Sequence, residues 1–206
     1  YTMGDRSPEF MLKYLTALIK LSSPKASFVA LELFALLNDE QRISPEFWML
    51  YHPQFAMISS DMKNYLFSNI QKFREKLGAE KVDELVGFQI NSDLDQVLYN
   101  VAAKISVEDI DRTIQFIKQN KLQHSKQLIG LANIVKLFKN KVCSVKAYKK
   151  ASKDMKPEEI PFADLYANIL AMEPERAEEW KAWGKEIVDS LTDPKYIQWY
   201  KQLLQL

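Results

Sequence analysis

The stretch SVEDIDRTIQFIKQ, residues 106–119, decides the fold class of this chain. Ser106 places a capping hydroxyl before a helix former, and such a side chain accepts a hydrogen bond from the otherwise unpaired N–H groups of a first helical turn. Ile110, Ile114 and Ile117 follow at spacings of four and three residues, which puts all three on one face of a helix. We therefore predict an amphipathic α-helix from residue 107 onward.

Similar helix-start signals recur along the whole chain. They are Ser22-Ser23-Pro24, Ser44-Pro45-Glu46, Ser59-Ser60-Asp61 and Asp193-Pro194. Proline in the first helical turn costs no hydrogen bond, because the N–H that it lacks has no partner there. No segment alternates apolar and polar residues with a period of two, and no Asn-Gly or Asp-Gly hairpin turn occurs. The chain is predicted to be all-α, with separate helices at 60–77, 79–89 and 92–105 among others.

Composition limits the possible classes of protein. The chain has 206 residues, 47% of them apolar, which is enough for a sizeable core in one domain or one repeat array. A single cysteine excludes a disulfide framework and a cysteine-rich zinc site. No run of about 18 apolar residues exists, so we predict no membrane-spanning helix. We expect an intracellular protein of the cytoplasm or of an organelle matrix.

The first ten residues, YTMGDRSPEF, look like a vector remnant. Met3-Gly4 resembles a start and Ser7-Pro8-Glu9-Phe10 resembles a cloning site. The alternative is a natural N-cap, because Ser7, Pro8 and Glu9 are suited to open a helix. No linker rich in Gly, Ser or Pro interrupts the remainder. The predicted organisation is a remnant at 1–10 and a single α-helical repeat domain at 11–206.

An asparagine returns in a similar context four times, and each copy is followed by Ile or Val. The four are Asn69, Asn100, Asn133 and Asn168, separated by 31, 33 and 35 residues. A large apolar residue stands two positions before each of them. Asparagine is a mediocre helix former, so helix propensity does not explain its return. Its amide is suited to bond backbone at the turn of a neighbouring unit; the alternative is a chance alignment of short dipeptides.

A period near 33 residues is the length of one helix–turn–helix unit. Stacked units of this kind form an α-solenoid, in which each helix pair buries its apolar face on its neighbours. The chain length then allows five or six pairs. The predicted fold is a right-handed array of helical hairpins.

The segments Leu131-Ala132-Asn133-Ile134 and Tyr166-Ala167-Asn168-Ile169-Leu170 resemble the second helix of octotricopeptide-type repeats. These repeats occur in organellar RNA-binding proteins related to the FAST-kinase family. The resemblance covers roughly residues 60–171 and implies organellar RNA binding, without supplying individual contact residues. The Trp-x-x-Leu-Gly signature of tetratricopeptide repeats is absent, and no C-terminal RAP-type domain is visible.

Motifs that carry catalysis are missing from the sequence. There is no phosphate-binding glycine loop, no Gly-x-Ser-x-Gly and no His-Glu-x-x-His. His52 and His124 stand at predicted turns or helix starts, which favours surface or capping roles. Cys143 between Val142 and Val145 is typical of a buried thiol. We predict a protein that is not an enzyme, with no catalytic or metal-ligating residues and no small-molecule cofactor.

Charge is distributed unevenly, although the net charge is only +1. Residues 121–156 hold ten lysines against one acid, a balance of +9, and residues 157–193 hold ten acids against three basic residues, a balance of −7. The candidate polyanion-binding or partner-binding residues are Lys136, Lys139, Lys146, Tyr148, Lys149, Lys150 and Lys153. Lysines neutralise phosphates, and Tyr148 is suited to stack on a base. The alternative is that the basic block faces the acidic one.

Two functions follow from these observations. The first is a non-catalytic α-helical scaffold or adaptor that binds a protein partner. The second is an RNA-binding helical-repeat protein, of the organellar kind, that uses the lysines of 121–156. Salt dependence separates them, because phosphate contacts weaken steeply as salt rises.

Overall fold

The structure of the chain, a computed structural model, describes residues 6–99 and 105–205. Within these ranges it contains thirteen α-helices and three short 3₁₀ helices, with no strand. The predicted all-α class is therefore confirmed. The chain divides into two compact units, Tyr1–Gln89 and Ile90–Leu206. The right-handed repeat arrangement and the single domain over 11–206 stay predictions.

The first unit contains six α-helices and the beginning of a seventh. They are α1 Pro8–Lys20, α2 Lys25–Leu36, α3 Pro45–Trp48, α4 Gln54–Ile58, α5 Asp61–Ser68, α6 Ile70–Leu77 and α7 Ala79–Tyr99, with a 3₁₀ helix at Gln41–Ile43. Ser7 and Ser44 cap α1 and α3, because each hydroxyl accepts a hydrogen bond from the N–H three residues later. The predicted remnant therefore supplies the cap and first turn of α1, which is the geometry of the N-cap alternative.

An aromatic cluster forms the core of the first unit. The Trp48 indole is almost fully buried and meets the Phe73 ring edge-on at 4.8 Å between centroids. Its N–H donates to the carbonyl of Arg42, so burial leaves no polar atom of the ring unsatisfied. In the same unit the Arg74 guanidinium donates to Asp83, a carboxylate only 6% exposed, with 2.6 Å between Nη2 and Oδ1.

The second unit contains the end of α7 and six further α-helices. They are α8 Val107–Asn120, α9 Ser125–Lys139, α10 Val145–Ala151, α11 Phe162–Met172, α12 Ala177–Ser190 and α13 Pro194–Leu204, with 3₁₀ helices at Pro157–Glu159 and Pro174–Arg176. Helix α8 begins as predicted. The Ser106 hydroxyl accepts from the Asp109 N–H at 3.1 Å, and the Asp109 carboxylate accepts from the Ser106 N–H at 3.0 Å. Among the described residues, no helix has the length and apolar content needed to cross a membrane.

The core of the second unit is built around Trp180 and Phe162, both fully buried. Trp180 lies against Tyr148 of α10, with ring centroids 5.2 Å apart, and its indole N–H donates to the carbonyl of Cys143 at 3.1 Å. Gly184 of α12 lets Leu204 and Phe162 approach closely: a Cβ at this position would lie 2.7 Å from each of their side chains. Three helices, α11, α12 and α13, therefore meet at one glycine.

Two predicted helix boundaries are wrong. The helix expected over 60–77 is broken at Asn69, whose backbone leaves the helical region and separates α5 from α6. The helices expected over 79–89 and 92–105 are joined in α7, which is continuous from Ala79 to Tyr99. The polar residues near position 91 do not end this helix. The Asn91 amide instead donates along it to Asp95 at 2.7 Å.

Candidate binding groove

An open groove of about 530 Å³ lies between α9 and α10 in the second unit, and it is named here the α9–α10 groove. Its lining consists of Asn133, Lys136, Leu137, Asn140, Ala147, Lys150, Ala151 and Lys153. On the α9 side, Lys136 follows Asn133 by three residues and Asn140 follows Lys136 by four. This spacing places the three side chains on one face of the helix. The α10 side presents two alanines four residues apart, so small side chains leave room between the helices.

Anchors on both helices position the groove. Val145 and Tyr148 of α10 are buried in the core, which turns the opposite face, carrying Lys150, toward solvent. At one end α9 approaches the segment after α10 closely, because a Cβ on Gly130 would lie 2.9 Å from the Met155 side chain and 3.2 Å from the Ala151 carbonyl. A side chain at position 130 would push the two helices apart at this end.

The structure brings together some of the predicted lysines. Lys136, Lys150 and Lys153 line the α9–α10 groove, whereas the lining does not include Lys139, Lys146 and Lys149. Lys146, Lys150 and Lys153 are all exposed, and their spacings of four and three residues are those of one helical face. The α9–α10 groove is therefore lined by three of the six predicted lysines.

Two of the predicted lysines have acidic partners. The Lys136 ammonium donates to both carboxylate oxygens of Asp111 in α8, at 2.6 and 2.8 Å. The Lys149 ammonium lies 2.6 Å from the Glu186 carboxylate of α12. The predicted lysines therefore do not form one basic face free of acidic neighbours. Lys150 and Lys153 form no ion pair with any described residue.

The structure does not support the predicted stacking role of Tyr148. Its side chain is fully buried and packs on Trp180, so no face of the ring is open to a base. Its hydroxyl has no hydrogen-bond partner among the described residues. Burial, followed by the nearby Cys143 thiol, raises the pKa of this phenol well above its ordinary value. Tyr148 is a core residue that holds α10 against α12.

The four asparagines do not share one structural setting. Asn69 lies at the break between α5 and α6, whereas Asn133 and Asn168 lie inside α9 and α11; Asn100 falls outside the described residues. The predicted equivalence is therefore wrong for Asn69. A local likeness remains, because the amides of Asn69 and Asn168 each donate to the carbonyl four residues earlier, at 2.9 and 2.7 Å.

Asn168 also makes a contact between helices. Its amide lies 3.4 Å from the carbonyl of Leu98, at the end of α7. This contact joins α11 to the backbone of α7, and the expected contact at the turn of a neighbouring repeat unit stays a prediction. The apolar neighbours Leu98, Leu131, Ile134 and Ile169 are all buried. The apolar residues around these asparagines therefore belong to the core of the second unit.

Sequence reasoning missed part of the groove. Asn140, Leu137 and the two alanines of α10 were not singled out, although 133, 136, 137 and 140 have the i, i+3, i+4, i+7 spacing of one helical face. This spacing is the signal that would have found the α9 wall. No sequence signal identified Asp111 as the partner of Lys136, since 25 residues separate them.

A second groove, of about 520 Å³, lies in the first unit between α2 and α5. Arg42 lies at its edge, with its guanidinium 5.0 Å from the Phe34 ring centroid and 5.8 Å from that of Tyr65. The guanidinium also donates to the carbonyl of Phe34 at 3.2 Å. This arginine is held by rings and backbone of its own unit, and the exposed carboxylate of Asp61 shares the groove. The site is less suited to an anion than the α9–α10 groove.

Within the described residues, no group of three or more His, Cys, Asp and Glu side chains is placed to hold a metal ion. His52 accepts a hydrogen bond from the Gln54 N–H at 3.2 Å, a local turn contact. Cys143 is 6% exposed, which confirms the predicted buried thiol, and burial together with the Glu173 carboxylate raises its pKa. A thiol of this kind is a poor nucleophile, because the thiolate is the reactive form.

No family model, curated protein or solved structure matches this chain. The function must therefore be inferred from the side chains that line the α9–α10 groove. They offer ammonium groups and amide N–H donors, which suit carboxylate or phosphate oxygens.

Proposed function

We propose that this protein is a non-catalytic α-helical scaffold or adaptor that binds a protein partner. The observation that carries the proposal is the α9–α10 groove, where two lysines without a described ion partner stand beside two amides. Polar groups of this kind at an open groove are available to another molecule, whereas those of the core are used internally. The proposed partner is a protein, held by polar contacts at the groove and by surrounding apolar surface.

The proposal includes the finer architecture expected from the sequence, a right-handed array of five to six helix pairs. Helical arrays of this type act as scaffolds because their stacked pairs create extended binding surfaces. Support comes from α8 and α9, which pack together through a short connection and form one such pair.

Retention of proteins by the immobilised full chain tests the scaffold function. We expect proteins from a nuclease-treated native lysate to be retained and to stay bound as salt rises moderately, because apolar and short-range polar contacts are screened weakly. An immobilised helical protein of similar size and charge is the control. Retention that disappears with nuclease treatment, or that equals the control, would contradict the proposal.

RNA binding is the second candidate, because Lys146, Lys150 and Lys153 are exposed and form no ion pair with a described residue. Against it, Lys136 and Lys149 are paired with carboxylates, and the ring expected to stack on a base is buried. Retention on immobilised single-stranded RNA tests it. RNA binding predicts a steep loss of affinity between about 50 and 200 mM salt.

A further inference from the structure

We propose that the α9–α10 groove binds a carboxylate-rich segment of the protein partner, and that Asp111 competes with that segment for Lys136. This inference rests on the proposed scaffold function and names the chemistry of its partner. It joins three observations: the charge of the groove, the absence of aromatic residues from its lining, and the ion pair that already occupies one of its lysines.

The charge of the groove favours an anion. Its lining holds three lysines and no acidic residue, and the amides of Asn133 and Asn140 add N–H donors. Like charges close together repel one another, and an anionic partner relieves that repulsion. Complementary charge also fixes the orientation of a partner and speeds its association.

The rest of the lining favours a peptide over RNA. Single-stranded RNA is bound by lysines together with aromatic rings on which the bases stack. No residue of the lining is aromatic, and the nearest ring of α10, Tyr148, is buried. Leu137, Ala147 and Ala151 instead provide a small apolar surface, against which the methylene groups of a glutamate side chain can pack.

The ion pair between Lys136 and Asp111 resembles the contact that a partner would make. The ammonium holds both oxygens of the carboxylate at 2.6 and 2.8 Å, and the side chain of Asp111 is 47% exposed. The Lys136 side chain is 35% exposed, so solvent partly screens the ion pair and an incoming carboxylate can exchange with Asp111 at little cost. Asp111 thereby lowers the affinity of the groove, and its removal is expected to raise it.

The test is a fluorescence-anisotropy titration of the full chain with a labelled peptide of about ten residues rich in glutamate, at about 50 mM salt. Lys150→Gln/Lys153→Gln is expected to weaken binding by about 2- to 10-fold, the effect of two exposed charge pairs. Asp111→Asn is expected to tighten binding by about 2- to 5-fold, because it releases Lys136. Lys72→Gln/Lys76→Gln is the matched control, since it removes two exposed lysines of one helix in the first unit.

The outcomes separate the possibilities. Binding that changes equally in the groove variant and in the control would overturn the inference, since only net charge would then matter. Tighter binding of a single-stranded oligouridylate than of the peptide, lost in Lys150→Gln/Lys153→Gln, would overturn it in favour of RNA. Lysate proteins retained equally by parent and groove variant would leave the scaffold function standing and place the partner elsewhere. Thermal melting of each variant shows that it is folded.

Discussion

At the scale of single residues, two polar groups of the second unit lie in unfavourable surroundings. The Tyr148 hydroxyl is buried without a described hydrogen-bond partner. The Asp95 carboxylate is partly buried beside Asp164, and burial is the main reason that its pKa rises to about 6. Groups of this kind are expected to reduce stability, because a buried donor or charge loses its interactions with water.

Replacing Tyr148 by Phe is expected to leave the melting temperature unchanged or to raise it. The change removes an unsatisfied hydroxyl, whose burial costs about 1–3 kcal/mol, and keeps the ring that packs on Trp180. Each kcal/mol gained shifts the melting temperature by about 2–4 °C in a chain of this size. Tyr148→Ala, which also removes the ring, is the contrasting variant and should lose about 3–5 kcal/mol. A clear loss of stability in Tyr148→Phe would show that the hydroxyl is hydrogen-bonded in solution.

Asp95→Asn is expected to stabilise the chain at pH 7.5 and to have little effect at pH 4. The folded state prefers Asp95 protonated, so its contribution to stability is present below the unfolded pKa near 3.8 and is lost as pH rises toward 6. Asparagine stays neutral over this range and avoids the loss. Partial solvent exposure reduces the effect, and we expect a rise of about 3–6 °C in the melting temperature at pH 7.5.

Melting curves of parent and variant across this pH range measure the difference. The exposed Asp154→Asn variant, which removes the same charge from the surface, is the control. If the advantage of Asp95→Asn were the same at pH 4 and pH 7.5, ionisation of Asp95 would not be its cause.

At the scale of helices, a close approach and an ion pair connect α12 to its neighbours in the second unit. Gly184 of α12 accommodates Leu204 of α13 and Phe162 of α11 at distances that leave no room for a methyl group. Lys149 of α10 meets Glu186 of α12, and this pair joins the basic and acidic blocks of the sequence. Packing is the stronger tie, since exposed ion pairs contribute about 0–1 kcal/mol.

Gly184→Ala is expected to lower the melting temperature, although alanine is the better helix former by about 1 kcal/mol. Its methyl would lie 2.7 Å from both Leu204 and Phe162, and overpacking of this kind costs about 1–3 kcal/mol. Leu204→Ala in the same chain would remove part of the clash. The double variant should then lose less stability than the sum of the losses in the two single variants. A double-mutant cycle measures this difference. If the two losses of stability were simply additive, a clash between the new methyl group and Leu204 would not be their cause.

Charge reversal of Lys149 is expected to cause a small loss of stability. Lys149→Glu would place two carboxylates together, and Glu186→Lys two ammonium groups. With side chains 39% and 62% exposed, the pair is screened by solvent, so we expect about 0.2–1 kcal/mol for each single change. The double variant Lys149→Glu/Glu186→Lys should recover most of this loss of stability, which thermal melting measures. Lys146→Glu, on the same helix without a described ion partner, is the control and should not be rescued by Glu186→Lys.

At the scale of the whole molecule, the net charge of +1 conceals two blocks of opposite charge in the second unit. The blocks of 121–156 and 157–193 carry +9 and −7. Among the described ion pairs only Lys149–Glu186 joins the two blocks. Lys136 of the basic block pairs instead with Asp111, which belongs to neither block. The expectation that the two blocks offset one another therefore holds in part. Lys150 and Lys153 keep their charge available at the α9–α10 groove.

The amino-acid sequence by itself determined where most helices begin. Capping side chains and the spacing of apolar residues act within a few positions of the chain, so Ser106, Ser44 and Asp193 could be identified without knowing their distant neighbours. The same local rules found the buried apolar residues around the asparagines. They also placed Lys136, Lys150 and Lys153, which line the groove, in one candidate set of seven residues.

Only the tertiary structure decided which of these side chains face one another. The burial of Tyr148 depends on Trp180, and the pairing of Lys136 and Lys149 depends on acids 25 and 37 residues away. The break at Asn69 likewise separates two helices that a continuous local pattern had joined. Such contacts form when helices pack, and their energies depend on distance in space rather than in sequence. Local patterns therefore predict elements and faces, whereas packing determines which charged groups remain available to a partner.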